Sequence, residues 1–488
     1  SVSNGIFSFL SMLVYFYVRK IMGLARKKRK ICPKVGRPES RDRISSLPDE
    51  ILGQILSFLP TKYAVATSAL SSRWRNLYKL TTSLDFDDSA SFKSHKGLNI
   101  IRRNTRFRQF VDSILARFEQ SNVTKFRLKC GKNNFDNSLI SYWIKGACSH
   151  EISELELSIH TCVPYRLPLQ LYLLTCQNLT VLKLDSNFEV DIPDSVSFPC
   201  LKVLVLKEIK LSTDSSLNAI LPRCPLLEEL VIEGCDIAEG KVCITNPLLR
   251  RLTLDDGLSA PLDQLNGTVV YFDTPNLIYL KYCKCLLHRC RVRDLTALVE
   301  AYIEICFNDD DFDEPEDLCD AMLSFIIGVS NCELLYLSGQ CLEALTSGEF
   351  ELPIFQKLMR LELGVGCDVS WNDVLLDFLN NSPRLEYLIF EEGLIRFDAI
   401  DYEPDDCLLY DEAVPSCVES RLKVIEIKRF WGLKEEMDVV MYFLENAKVL
   451  EKLELHWCLK KSARGVVSKE KEILKMYKSN DACSIAFR

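Results

Sequence analysis

Histidine is scarce in this chain: there are five in 488 residues. There is no G-x-x-x-x-G-K-[ST] phosphate loop, no H-E-x-x-H metal pair and no G-x-S-x-G nucleophile elbow. P-loop phosphoryl transfer, zincin-type hydrolysis and α/β-hydrolase chemistry therefore find no support, and the chain reads as non-catalytic. A bilayer-length apolar run is also missing. The stretch GIFSFLSMLVYFYV (Gly5–Val18) is fourteen residues, short of the ~20 that span a membrane as a helix. It lacks a basic leader and a small-residue cleavage site, so it does not read as a signal peptide. Arg19, Lys20 and the run RKKRK (Arg26–Lys30) follow it. Three readings stay open for residues 1–40: a signal anchor with everything after Arg19 in the cytosol, a nuclear import signal, and a disordered extension.

The body of the chain has no cationic excess. Residues 1–43 carry eleven Lys/Arg and two Asp/Glu, a local charge of +9; the total of −8 leaves −17 for the rest. A surface that binds a phosphate backbone needs clustered cations, so nucleic acid is not an expected partner. A disulfide framework is missing too, despite 21 cysteines. They are scattered, and several, such as Cys200, Cys224 and Cys332, stand where a small buried hydrophobe would. They read as reduced and structural, which places the chain in the nucleus and/or cytoplasm; a membrane-anchored form with a cytosolic body is the unfavoured alternative.

What the sequence has in abundance is a repeat. The form L-x-x-L-x-L recurs as LTVLKL (Leu179–Leu184), LKVLVL (Leu201–Leu206), LEELVI (Leu227–Ile232), LRRLTL (Leu249–Leu254), LIYLKY (Leu277–Tyr282), LMRLEL (Leu358–Leu363) and LEYLIF (Leu385–Phe390). Steps between the first four and the fifth leading leucines are 22, 26, 22 and 28 residues, the leucine-rich-repeat period. LVEAYIEI (Leu298–Ile305) and LLYL (Leu334–Leu337) are degenerate copies. Each copy predicts a short strand that cannot bury its leucine face alone; stacked copies can. Pro199, Pro225, Pro247, Pro275 and Pro383 end the segments before the strands. Helices are expected over Thr213–Pro225 and Ser370–Pro383, with Thr213 and Ser370 as N-caps. The fold class is an α/β solenoid, with strands on one side, helices or irregular turns on the other, and an arc as its expected shape.

A different pattern occupies residues 43–80. Ser45 or Ser46 can cap a helix whose first turn holds Pro48, Asp49 and Glu50, followed by Ile51, Leu52, Ile55, Leu56 and Leu59 at helical spacing. Pro60 and Thr61 start a second helix with Ala64, Val65 and Leu70, and Ser71 can cap a third carrying Trp74, Leu77 and Tyr78. Three short helices in about forty residues sit near the lower limit for independent folding. Some of their apolar surface should meet either the repeats or a second protein.

The stretch LPDEILGQILSFLPTKYAVATSALSSRWRNLY (Leu47–Tyr78) resembles the plant F-box, departing from its usual form at Tyr63 and Ser72. FRQFVDSILARF (Phe107–Phe118), VTKFRLKC (Val123–Cys130) and WIKGACSHEISELELSI (Trp143–Ile159) resemble the segments that link F-box to repeats in plant F-box/LRR proteins. Val414–Leu455 resembles the FBD region that ends the F-box/FBD/LRR family. The implied organisation is an apolar and basic extension (1–40), F-box (41–86), helical linker (87–119), leucine-rich repeats (120–400), FBD (411–460) and C-terminal tail (461–488).

The resemblance implies a substrate receptor of an SCF-type ubiquitin ligase, with a Skp-type adaptor as direct partner and cullin and RING subunits reached through it. The adaptor interface carried over comprises Leu47, Pro48, Ile51, Leu52, Ile55, Leu56, Leu59, Pro60, Val65, Leu70 and Trp74, some of which must instead form the module's own core. An unknown target protein is expected on the outward residues of the repeat strands: Lys183, Asp185, Glu229, Val231, Glu233, Arg251, Thr253, Asp255, Arg360, Glu362, Tyr387, Ile389 and Glu391. The alternative is a non-degradative repeat scaffold, with or without a membrane tether. No cofactor or metal is expected. CKCLLHRC (Cys283–Cys290) concentrates thiols around His288 but lacks a separated second ligand pair. NDDDFDEPEDLCD (Asn308–Asp320) lacks the glycine of a calcium loop.

Overall fold

The structure is a computed structural model. It describes the chain from Ile44 to Arg488 apart from 92–99, 119–121, 132–134, 161–165, 168–175, 191–196, 212–216, 236–240, 256–268, 286–289, 307–314, 365–370, 395–412, 459–463, 477–482 and positions 45, 188, 294 and 349. The expectations for residues 1–43, the caps Thr213 and Ser370, His288 and most of the acidic stretch before Pro315 lie outside the described residues. The chain divides into two compact units, Ser1–Leu227 with Cys235–Ile237, and Glu228–Gly234 with Ala238–Arg488.

The first unit opens with helices α1 (Asp49–Ser57) and α2 (Thr61–Ala66), followed by 3₁₀ segments at Thr67–Ala69 and Arg73–Leu80. A parallel sheet follows: β1 (Ser83–Asp87), β2 (Lys125–Cys130), β3 (Glu154–Ile159), β4 (Val181–Ser186) and β5 (Val203–Lys207), each paired in register with the next. Alternation along β1, β2 and β4 buries every second residue, such as Leu84 and Phe86, then Phe126 and Leu128, then Leu182 and Leu184, while β3 and β5 each bury three residues in a row. Hydroxyls brace the strand entries: Thr180 Oγ1 donates to Ser153 O at 2.9 Å, and Ser153 Oγ to Thr124 O at 3.1 Å. Helices α3 (Ile100–Phe118) and α4 (Asn137–Cys148) pack on this core. Phe107 lies 5.9 Å from Trp143, whose indole N–H donates to Asp112 at 2.7 Å.

In the second unit the same strand recurs as β6 (Glu229–Glu233), β7 (Arg251–Asp255), β8 (Tyr279–Cys285), β9 (Glu300–Cys306), β10 (Leu334–Leu337), β11 (Arg360–Leu363) and β12 (Tyr387–Phe390). These are parallel and in register throughout. The leading leucine of each repeat sits just before its strand and is buried: Leu227, Leu249, Leu277, Leu358 and Leu385 are all fully enclosed. The α/β repeat architecture read from the leucines is therefore present, and the degenerate copies at β9 and β10 are strands like the rest.

The opposite side of the repeats is less helical than the sequence suggests. Short parallel strands stand there at Arg166–Leu167, Glu189–Val190 and Lys210–Leu211 in the first unit. Others stand at Lys241–Ile244, Val269–Asp273 and Cys290–Arg293 in the second. These strands carry β-branched residues such as Val242, Val270 and Val292. Within Thr213–Pro225 the described residues form a helix at Leu217–Ile220 and a 3₁₀ turn at Leu221–Arg223. Intervals later in the chain hold α5 (Pro315–Val329), α6 (Gly339–Thr346) and α7 (Trp371–Asn380).

The C-terminal segment continues the sheet. After α8 (Ser416–Ser420), β13 (Val424–Phe430) pairs with β12, β14 (Lys452–Trp457) with β13, and β15 (Ser484–Phe487) with β14. Helices α9 (Lys434–Asn446) and α10 (Arg464–Met476) alternate with these strands. Among the described residues no helix is long and apolar enough to cross a membrane.

Candidate functional site

The F-box side chains divide into an inner and an outer set. Leu52, Ile55 and Leu56 on α1, Leu59 after it, and Trp74 and Leu77 on the second 3₁₀ segment are buried. Each such side chain contributes about 1.5–3 kcal/mol through burial. Tyr78 completes this core: its ring is 6.4 Å from Phe118 and its hydroxyl accepts from Arg117 at 2.8 Å. The module thus leans on α3 and fills its interior with five of the eleven residues expected at the adaptor interface.

The remaining six reach the surface. Pro48 is exposed, and Leu47, Ile51, Pro60, Val65 and Leu70 are half-buried. Phe58, absent from the carried-over set, is 49% exposed. It stands at the C-cap of α1, between the buried Leu56 and Leu59, and its signal was legible as one more large apolar residue in ILSFLP.

The helix start differs from the expectation. Pro48 occupies the N-cap of α1 and no side chain caps it. The segment is tied down from the far end of the module instead. Arg73 donates to Leu47 O and to the Asp49 carboxylate, at 2.9 Å for the latter. Arg73 thus bridges the first and last parts of the F-box and fixes the Leu47–Pro48 corner. The third helix, expected from Ser71, forms as 3₁₀ turns at Arg73–Leu80 without a side-chain cap.

On the outward faces of the repeat strands, most expected target residues already have neighbours. Lys183 is half-buried. Asp185 accepts from Ser158 at 2.9 Å and lies 3.0 Å from His160 Nε2. Glu229 and Glu233 stand opposite Arg251 and Asp255. Asp255 holds Lys281 at 2.8 Å, and Glu391 holds Lys428 at 2.6 Å. Glu362 is only 7% exposed because Arg360 closes over it at 2.5 Å. Tyr387 is 37% exposed, whereas Ile389, expected to face outward, is 3% exposed. Arg251 lays its guanidinium 3.9 Å from the centre of the Tyr279 ring.

That ring begins a series that the leucine pattern did not single out. Tyr279, Tyr302 and Tyr336 line up on β8, β9 and β10 with centroids 5.6 and 6.2 Å apart. Each occupies a variable position within LIYLKY, LVEAYIEI or LLYL, so the signal was present as a recurring tyrosine beside the leucines.

Metal-ligand geometry exists at two places: His160 with Asp185 and Glu208, and His456 with Glu426 and Glu454. Each histidine has a carboxylate oxygen 3.0 Å from its Nε2. At the cysteine-rich stretch, burial and the neighbouring Glu304 push the Cys283 thiol well up, away from the thiolate a metal needs. Cys224 and Cys332 are fully buried, as expected, while Cys200 is half-buried.

Comparison with known proteins agrees with this layout. A family model described as F-box domain matches residues 44–77, one described as LRR repeats of FBD-associated F-box protein At5g56370 matches 140–301, and one described as FBD matches 411–455. The chain is 33% identical over 443 residues to F-box/LRR-repeat protein At3g59200 of Arabidopsis thaliana, covering 86% of this chain and 82% of that protein. It is 36% identical over 371 residues to F-box/LRR-repeat protein At4g14103 of the same plant, covering 73% and 93% respectively. With an N-terminal F-box, leucine-rich repeats and a C-terminal FBD, and with this similarity over most of its length, the chain belongs to the plant F-box/LRR-repeat family.

Proposed function

We propose that this chain is the target-recruiting subunit of an SCF-type ubiquitin ligase. F-box/LRR proteins are typically non-catalytic adaptors, and family membership supports that role here. In this reading the F-box docks a Skp-type adaptor, which joins it to cullin and RING subunits, while the outward faces of the repeats hold the target. The contribution is effective concentration: a bound target keeps its lysines near the loaded conjugating enzyme, so encounter becomes intramolecular. The observation that carries the reading is the surface of the F-box. Its core is already filled by its own residues, yet Leu47, Pro48, Ile51 and Phe58 still present apolar atoms at the start and on one side of α1. Apolar residues gathered at one end of a small module suit the cover of a partner protein.

The test is co-precipitation of the full chain with a Skp-type adaptor. Leu47→Ala combined with Pro48→Ala should weaken binding at least tenfold, while circular dichroism and the melting profile stay close to wild type. Recovery of adaptor at the wild-type level by the double variant would remove these residues from the interface.

A further inference from the structure

The second unit carries a surface that the F-box reading leaves unused. Tyr279, Tyr302 and Tyr336 stand on adjacent parallel strands, their ring planes inclined by 40° and 31° at successive steps. Strand register sets Glu300 beside Tyr279, and Glu362 beside Tyr336. Glu304 lies two residues along β9 from Tyr302, on the same outward face. All three rings are half-buried, so each offers both a packed body and an accessible edge or face.

The cations nearby are committed. Lys281 is bound to Asp255, Arg360 to Glu362, Lys428 to Glu391 and Arg429 to Glu392. Among the described residues Glu300 and Glu304 have no ion-pair partner, although a half-buried thiol, Cys283, donates to Glu304. The surplus is therefore negative. Its effect reaches the rings: burial together with Glu362 and Glu300 raises the Tyr302 phenol, and burial together with Glu304, Glu392 and Glu391 raises that of Tyr336. The first ring shows what such a surface accepts, because the Arg251 guanidinium already sits over Tyr279. Guanidinium groups are attracted to aromatic faces and to carboxylates alike.

We propose that the tyrosine series, with Glu300 and Glu304, is the site that holds the target, and that it takes an extended, arginine-bearing segment of that protein. The proposal rests on the receptor reading above and adds the chemistry of what is received. Arginine side chains spaced along the segment would stack on Tyr302 and Tyr336 and donate to the adjacent carboxylates. The occupant is a basic stretch of another protein, selected by charge complementarity rather than by apolar area.

The experiment measures fluorescence anisotropy of the full chain with three labelled twelve-residue peptides: an Arg/Ser alternation, the matched Glu/Ser alternation and a Gly/Ser peptide. Binding should be confined to the arginine peptide and should weaken as salt rises. Glu300→Gln with Glu304→Gln should reduce that affinity about tenfold. Tyr302→Leu with Tyr336→Leu should do the same at unchanged net charge. The near-isosteric Gln pair keeps the test valid where the Leu pair disturbs the sheet. Equal binding of all peptides, or wild-type affinity in the Gln pair, would overturn the proposal. Binding that appears only after deletion of residues 1–43 would also overturn it, by assigning the face to the chain's own basic segment. Adaptor co-precipitation is run on the same proteins. Its loss in the wild type would defeat the receptor reading while leaving the peptide result as a separate outcome.

Discussion

Two residues show how much of this fold is decided by single polar groups. Arg73 joins Leu47 and Asp49 to the far end of the F-box. The pair with Asp49 is exposed and contributes little to stability by itself, about 0–1 kcal/mol; its effect is to hold the Leu47–Pro48 corner in place. Glu436 is the opposite case. It is fully buried in the FBD, and one carboxylate oxygen accepts from the backbone N–H groups of Trp431 and Leu433 at 2.9 and 3.0 Å. The other oxygen has no hydrogen-bond partner. Burial pushes its pKa from 4.5 up to about 7, with the backbone donors and Lys469 pulling the other way. The folded value lies above the unfolded one, so this group favours the fold fully below pH 4.5. That contribution is lost as pH rises to about 7 and stays lost above it. Glu436→Gln removes the charge while keeping an acceptor for the two N–H groups. Relative to wild type the variant should therefore gain roughly 3 kcal/mol between pH 4.5 and 7.5, an upper figure from the size of the shift. Melting curves across that range check it; a difference between the two proteins that is flat with pH would mean that Glu436 is not held neutral.

At the scale of the element, the F-box helices matter as much for the sheet as for any partner. β1 is the first strand of its sheet and pairs only with β2. Its free edge is covered by side chains from the F-box: Thr61 Oγ1 accepts from Asp85 N at 2.7 Å, and Ser57 Oγ from Thr82 N at 3.0 Å. This is a managed edge, and it couples the module to the repeats. The approach is tight at Gly53, where a Cβ would stand 2.8 Å from Leu80 Cβ and 3.0 Å from the Leu80 carbonyl. In an exposed helix Gly→Ala gains up to about 1 kcal/mol. Here a backbone carbonyl blocks the methyl, so Gly53→Ala should instead cost about 1–3 kcal/mol. Amide exchange across Asp49–Ser57 should rise while that of the repeat strands is unchanged; slower exchange in α1 would contradict the packing.

The repeat strands were legible because three leucines per copy point inward at fixed spacing, and one such face leaves no second solution. The F-box was legible through its helix spacing and its Ser-Arg-Trp-Arg segment. What the sequence hid was geometry that depends on a neighbour. Leu52 and Pro48 carry the same apolar signal, yet only packing separates the inner residue from the outer one. The pairing that binds Glu362 to Arg360 is likewise invisible until the side chains are placed. The short strands behind the early repeats were missed because their runs, such as KVCI and CRVR, are too brief to declare a period.

For the whole molecule, the relation of FBD to repeats is the open structural choice, since a named C-terminal segment suggests a separable domain. The packing argues for continuity. LKVIEI (Leu422–Ile427) and LEKLEL (Leu450–Leu455) follow the same leucine form as the repeats, and both bury their leading leucine. β13 continues the register of β12, from Tyr387 opposite Val424 to Phe390 opposite Ile427. Cys417 donates its thiol to Leu379 O at 2.9 Å, and Lys423 reaches Glu386 at 2.9 Å. The segment after 460 belongs to the same sheet, since the backbone of Arg488 exchanges hydrogen bonds with Leu455 and Trp457 at 2.9 Å. A chain ending at residue 412 would leave β12, with its buried Leu388 and Phe390, at an open edge and would remove the Cys417 contact from helix α7. Repeat arrays need a terminal cap to remain soluble, and an open strand edge templates association. The truncated chain should therefore aggregate or elute as large oligomers on size exclusion, where the full chain elutes as a discrete species. A monomeric 1–412 fragment with a cooperative melt near that of the parent would make the FBD an independent domain, and its shared register with β12 incidental to stability.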